Sequence, residues 1–312
     1  MEIKAENDKN FILNDFLIER YYILVGLFIA LIGLLNIVFK FIPIEYTGYI
    51  FVVSIVSAFS FGDVRREENI KSFLKLAIPY TIIILVVLIS GNDIWHKVLD
   101  WQMKRNIVFQ INDLFKSIPF NDAAFTRIFH PQLLTDFMKT IYESGFVLAV
   151  IIPFYRALLN KDFEKMIRYT LSGHILQVFM VTPFYVTFYI QNVWFVYGHA
   201  DPLNRNMPYK EAAMSTLNGL PSMHTSIAFA MFLLVLRERN KIFKWVWSIY
   251  CLLIIYSTMY LEIHWVIDVL VGLAFGFIAV KLVDFFMLMV KAKFIKSPNS
   301  DIDSYDKIGT AI

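Results

Sequence analysis

The sequence predicts an all-α fold, a polytopic bundle of about eight membrane-spanning helices. Three observations predict it. The 312 residues are 58% hydrophobic and 18% charged, where a soluble domain carries about a quarter charged residues. Mean hydropathy is +0.57. The charges are bunched between long apolar runs. One large membrane domain fits this pattern better than two soluble ones. The net charge of +3 carries little information by itself, and no nucleic-acid partner is expected.

An apolar run of about 20 residues crosses a bilayer as a helix, because a helix satisfies its own backbone polar groups. The expected spans are Tyr21 to Phe39, Thr47 to Gly62, Leu76 to Gly91, Phe137 to Tyr155, Tyr169 to Ile190, Leu220 to Leu236, Ile242 to Leu261 and Ile263 to Val283. The fourth is interrupted by Lys139 and Glu143. The first run is too long for a signal-peptide core, and no small-x-small cleavage site follows it. The lone Cys251 sits in an apolar run and reads as a small buried hydrophobe.

Cytoplasmic loops carry excess Lys and Arg. With the N-terminus inside, the inner loops hold Arg65, Arg66, Lys71 and Lys75, then Arg156, Lys161, Lys165 and Arg168, then Arg237, Arg239, Lys241 and Lys244. The tail opens with Lys291, Lys293 and Lys296. Both termini are therefore expected in the cytoplasm, in the plasma membrane if the cell is prokaryotic. Segment 92–136 runs against the rule. It is expected outside yet carries Lys97, Lys104, Arg105, Lys116 and Arg127; long loops weigh little under this rule.

The expected organisation is a cytoplasmic segment 1–20, N-terminal helices 21–91, an outer segment 92–136, a catalytic core 137–290 and a disordered tail 291–312. In the outer segment Trp95, Trp101, Ile107, Val108, Ile111, Leu114 and Phe115 recur at helical spacing. That spacing predicts an amphipathic helix lying in the outer interface. A helix packed on the membrane domain is the alternative.

Two stretches carry chemistry. Asn218-Gly219-Leu220-Pro221-Ser222-Met223-His224-Thr225 opens the sixth span, and Tyr260-Leu261-Glu262-Ile263-His264-Trp265-Val266-Ile267-Asp268 opens the eighth. The predicted topology puts both at the outer face. In the first, Pro221 suits the first helical turn. The N–H groups of Ser222, Met223 and His224 would then face outward at the positive end of a helix, a site suited to phosphate. Gly219 allows close backbone approach, and the Ser222 hydroxyl adds a donor. An ordinary helix start is the plainer alternative. In the second, His264 and Asp268 share one helix face. A buried carboxylate needs a partner. Bonded to one imidazole nitrogen, it leaves the other free to attack. A structural ion pair is the plainer alternative. A zinc site of His224, His264 and Asp268 is another, though no further ligand at suitable spacing supports it.

These residues resemble the type-2 phosphatidic acid phosphatase superfamily, whose motifs are Pro-Ser-x-His and Ser-Arg-x5-His-x3-Asp. Pro221-Ser222-Met223-His224 matches the first. Ser257, His264 and Asp268 match the second, with Thr258 where the Arg should be. The upstream Lys-x6-Arg-Pro motif is not recognisable in 181–210. These departures look like the branch containing inositol phosphorylceramide synthases, with Tyr260-Leu261 and His264-Trp265 fitting its variant second motif. The resemblance is specific over roughly 219–272. It implies a six-helix catalytic core and a phosphohistidine mechanism without metal or other cofactor. His264 would be the nucleophile, Asp268 its orienting partner and His224 the general acid. Ser222, Gly219 and the helix end would hold phosphate oxygens. The Arg absent at Thr258 leaves a charge to be supplied. Arg205, Lys210, Arg127 and Lys139 are the candidates, with Arg205 favoured for its loop position.

The expected substrate is a lipid phosphate ester at the bilayer surface, with Phe184, Tyr185, Phe188, Trp194, Phe195 and Tyr197 lining the region. The acceptor is either an alcohol, as in an inositolphosphotransferase, or water, as in a plain lipid phosphatase. Glu143 and His174 are further ionisable groups within spans. They leave open a rival reading from another class, a non-catalytic transporter, as does a catalytically dead family descendant.

Overall fold

A computed structural model describes residues 2–60, 69–104, 109–217 and 219–295 of the chain. Arg65, Arg66, Ile107, Val108, Asn218, Lys296 and the tail from 297 lie outside the described residues. The protein is almost entirely helical. Among the described residues, five helices are long and apolar enough to cross a membrane, and two shorter apolar helices span Thr47–Ala58 and Met223–Val235. Among the described residues all eight expected spans overlap helical segments, and their boundaries shift for identifiable reasons.

Helix α1 (Glu2–Phe39) and α2 (Thr47–Ala58) form a hairpin. Asn36 closes its turn. The buried amide accepts from the Ile42 N–H at 2.7 Å and donates to the Ile42 carbonyl at 3.0 Å and the Thr47 hydroxyl at 2.9 Å. Next comes α3 (Ile70–Met103). The third expected span is thus the first half of a longer helix, which carries on to Met103 instead of stopping at Gly91.

The expected amphipathic helix over 92–136 is corrected. Its first part belongs to α3. A two-residue strand β1 (Phe109–Gln110), the short helix α4 (Asn112–Ser117) and a tight turn at Ala124–Arg127 follow. Helical spacing alone does not report how a chain breaks. Here Ile111 N–H bonds to the Tyr189 carbonyl at 3.2 Å, and Phe115 is buried against Trp265. Phe115 therefore faces protein, whereas Phe109 and Leu114 are exposed.

Helix α5 (Gln132–Leu159) is continuous despite Pro153 and starts five residues before the expected span. The fifth expected span runs from the end of helix α6 (Phe163–Thr170) through a wide π turn at Leu171–Ile175 and α7 (Leu176–Tyr185). It ends before Ile190 because Phe188–Tyr189 forms strand β2, which pairs parallel with β1. Two short helices, α8 (Val193–Tyr197) and α9 (Tyr209–Ser215), lead to α10 (Met223–Val235), α11 (Lys241–Tyr260) and α12 (Val266–Ile295).

The core lies among α5, α6, α7, α10, α11 and α12, around Ile152, Val181, Ile227, Met231 and Ile254. Two glycines bring α10 and α12 together. A Cβ on Gly272 would lie 2.7 Å from the Ser222 carbonyl, and one on Gly276 would lie 2.6 Å from the Ser226 carbonyl. Small residues four apart let membrane helices approach to backbone distance. Cys251 is buried, as expected. At the far end of the same helices is a charge network. Lys165 pairs with Glu238 at 2.7 Å, Arg237 with Asp284 at 2.8 Å, and Lys291 with Glu164 at 2.7 Å. Arg168 pairs with both Glu164 and Asp284.

Candidate active site

The hairpin of α10 and α11 returns the chain to the end where α10 began, so the two motif stretches meet. The Ser222 N–H donates to the Asp268 carbonyl at 3.0 Å. The His264 ring is 4% exposed and Asp268 is fully buried. His264 Nδ1 lies 3.6 Å from Asp268 Oδ2, just beyond hydrogen-bond length. Neither His264 Nδ1 nor Asp268 Oδ1 has a hydrogen bond among the described residues.

The route to this pairing differs from the expected shared helix face. Helix α12 starts at Val266, so His264 sits in the preceding turn. Asp268 Oδ2 reaches back to accept the Trp265 N–H at 3.0 Å. This is the carboxylate half of a capping box, in which an early helical acid satisfies the N–H at the helix entrance. One carboxylate thus fixes the turn and faces the imidazole. The His264 N–H donates to the Thr258 carbonyl at 3.0 Å. Trp265 is fully buried, donates from Nε1 to the Gln191 carbonyl at 2.8 Å and meets Phe115 edge-on.

The α10 entrance is also corrected. Pro221 and Ser222 precede the helix, and Ser222 is its N-cap, with its hydroxyl oxygen accepting from the Thr225 N–H at 3.3 Å. The Tyr185 hydroxyl donates to the Pro221 carbonyl at 2.7 Å and accepts from the Met223 N–H. The expected row of outward N–H groups is therefore largely engaged within the protein, leaving the His224 end and the Ser222 hydroxyl proton. Gly219 allows close approach to protein: a Cβ there would lie 3.0 Å from Ile190 and 3.2 Å from Asp268 Oδ2.

His224 lies near enough to His264 for the two imidazoles to interact electrostatically. Aromatic rings hold it. Tyr142 stacks on it with centroids 4.4 Å apart and planes at 21°, and Phe146 lies at 5.0 Å. Sequence reasoning missed Tyr142. Its position on α5, one residue before the conspicuous Glu143, offers no local signal.

Thr258 supplies no charge, for it is buried and its hydroxyl bonds to the Ile255 carbonyl at 2.7 Å. Arg127 is committed elsewhere, with Nε 2.9 Å from Glu262. Arg205 forms two side-chain bonds to Asp201, at 2.8 and 3.1 Å. Burial pushes the Asp201 carboxyl up, but the Arg205 guanidinium and the N–H groups of Leu203 and Arg205 outweigh it and hold the pKa below the usual range. The pair lies within electrostatic reach of Tyr142. Lys210 is exposed and Lys139 half-buried.

Glu143 is exposed on α5. His174 lies in the π turn, edge-on to Phe146. Of the aromatics expected to line the lipid region, Tyr185 and Trp194 are buried in protein instead. Among the described residues, no group of three or more His, Cys, Asp or Glu side chains is arranged to hold a metal ion.

Fold and site together define a helical integral membrane protein with two imidazoles and a carboxylate gathered at one end of its bundle. Residues 144–291 match the model of the PAP2 superfamily, which supports placing the chain there. The match also supports a phosphatase-type enzyme acting on phosphate esters. An uncharacterized protein of Methanocaldococcus jannaschii is 26% identical over 187 residues, 59% of this chain and 76% of that protein. No solved structure matches the chain.

Proposed function

We propose that the protein transfers the phosphoryl-bearing group of a lipid phosphate ester through a phosphohistidine on His264, in the manner of an inositolphosphotransferase. The observation that carries this reading is the buried His264–Asp268 pair, 3.6 Å apart, with His224 in electrostatic range. With Nδ1 turned toward Asp268, Nε2 is the nitrogen left to attack phosphorus. The bond to the leaving oxygen breaks as His224 gives that oxygen a proton. The acceptor hydroxyl then loses its proton to His224 and attacks phosphorus, releasing His264. Water as acceptor makes the protein a lipid phosphatase; an alcohol makes it a transferase. The Tyr260-Leu261-x-x-His264-Trp265 form of the second motif supports transfer.

Ser222 retains a hydroxyl proton for a phosphate oxygen, and Gly219 leaves room beside Asp268. Arg205 is the proposed cation for the equatorial oxygens, held by Asp201 within electrostatic reach of Tyr142. A guanidinium grips such oxygens through two parallel bonds, which Lys cannot do. Arg205→Lys should therefore lower turnover by about tenfold or more; unchanged turnover removes Arg205 from the site.

The charge network at the opposite end, with Lys165, Arg168, Arg237 and Lys291, supports a cytoplasmic assignment for that end and an extracytoplasmic site, with both termini inside.

The test uses full-length protein in detergent with a phospholipid labelled at its phosphorus. An acid-labile, base-stable phosphoprotein is expected, absent in His264→Ala and retained in His130→Ala. A new phospholipid as product identifies the transferase, and free phosphate identifies the hydrolase. Turnover should persist in chelator. A wild-type protein that never carries label would reject the mechanism.

A further inference from the structure

The segment between β1 and α5 reaches across to the turn that bears His264. Asn121 is at its centre and is 2% exposed. Its carbonyl accepts the Val266 N–H at 2.8 Å, and its side-chain Oδ1 accepts the Ile267 N–H at 3.0 Å. Its Nδ2 donates to the Phe115 carbonyl at 3.0 Å. Two neighbours grip the other side of the turn. The Thr126 carbonyl accepts from the Tyr256 hydroxyl at 2.9 Å, and Arg127 pairs with Glu262 at 2.9 Å.

A helix leaves its first N–H groups without partners inside the helix. At α12 they are divided between two sources. Asp268 takes that of Trp265, while Asn121 takes those of Val266 and Ile267. A side chain 146 residues away in sequence thus supplies the N-terminal cap. Without that side chain the Ile267 N–H loses its acceptor, while the Val266 N–H keeps its backbone one, and the helix start can fray. The start of α12 sets where Asp268 faces His264.

We propose that Asn121 is a positioning residue for His264, and that the 109–131 segment is the clamp through which it acts. This rests on the reading of His264 as nucleophile. Asn121 and the whole clamp lie outside the residues matched by the superfamily model, 144–291.

The test has two arms on full-length protein in detergent. The first needs no substrate. Diethyl pyrocarbonate modifies accessible neutral imidazoles, and mass spectrometry reports each histidine separately. His264 is nearly buried and should react slowly, while His174, half-buried in the π turn and outside the clamp, serves as reference. Asn121→Ala should raise the His264 rate about fivefold, the size of one lost helix cap, with His174 unchanged. Asn121→Asp keeps an Oδ1 acceptor but loses the donor to the Phe115 carbonyl, so its rate should fall between the two. An unchanged His264 rate in Asn121→Ala overturns the proposal. So does an equal rise at His264 and His174, which is general loosening. The second arm measures turnover of a diacylglycerol phosphate. Asn121→Ala should lower kcat about fivefold with KM within about twofold, partly rescued by Asn121→Asp; an equal fall in Asn121→Asp overturns positioning. A wild type without turnover counts against His264 chemistry, and the modification rates still decide whether Asn121 places the ring.

Discussion

At the residue scale, the candidate site is built from side chains that also hold the structure together. Asp268 closes the α12 entrance through the Trp265 N–H and faces His264 with the same oxygen. His224 is held differently, by ring stacking on Tyr142. A stacked aromatic pair contributes about 0.5–1.5 kcal/mol beyond the area it buries. Tyr142→Leu should therefore cost about threefold to tenfold in kcat, while Tyr142→Phe, which keeps the ring, should stay near wild type. Initial rates on a lipid phosphate in mixed micelles measure both. Equal losses in the two variants would mean that the hydroxyl, not the ring, matters. His264, Asp268, His224 and Ser222, the proposed site residues, were all singled out by motif spacing, because each lies within a few residues of its signature. Tyr142 and Asn121 were not, because their roles come from contacts with chain far removed in sequence.

At the element scale, the approach of α10 to α12 assembles the site. Gly272 and Gly276 make that approach possible, and the backbone oxygens of Ser222 and Ser226 occupy the space a side chain would need. Gly272→Leu should push the helices apart and destabilise the protein by about 1–3 kcal/mol, the range for an overpacked interface. Its thermal midpoint in detergent should fall and activity should be lost. Gly48→Ala on α2, where a Cβ meets nothing within 4 Å, should leave both unchanged. Helix existence was readable from apolar runs. Helix ends were read less well, because capping is decided by partners. The eighth span starts at Val266 instead of Ile263 since Asp268 and Asn121 terminate it there. Segment 92–136 is not one continuous helix for the same reason: β2 and Trp265 supply partners to residues 109–115.

At the scale of the whole molecule, charge collects at the two ends of an apolar bundle. At the motif end Asp201 is held below its ordinary range by Arg205. At the opposite end burial raises the Glu164 carboxyl, but Lys291 and Arg168 outweigh it and lower the pKa. A carboxyl lowered by folding adds stability above its unfolded pKa and loses it as pH falls through its folded value. Those unfolded values are 3.8 for the Asp and 4.5 for the Glu. The thermal midpoint should thus be level at neutral pH and decline once pH drops below about 4.5. Glu164→Gln should show a shallower decline, and an identical pH profile would mean that the pair adds nothing. Both sites are partly exposed, so salt should reduce the effect.

The amino-acid sequence by itself determined that this chain is a helical membrane protein, and it singled out His224, His264 and Asp268 as the proposed reactive groups, with Thr258 where the resembling motif has Arg. Those readings are local: apolar length sets a span, and motif spacing picks out candidate groups. Only the tertiary structure decided how the groups are held. His264 faces Asp268 from a capped turn, His224 lies on Tyr142, and the α10 amides are engaged by Asp268, Tyr185 and Ser222. Buried N–H groups and rings must find partners wherever the fold brings them, and much of that choice is made between segments well separated in the sequence.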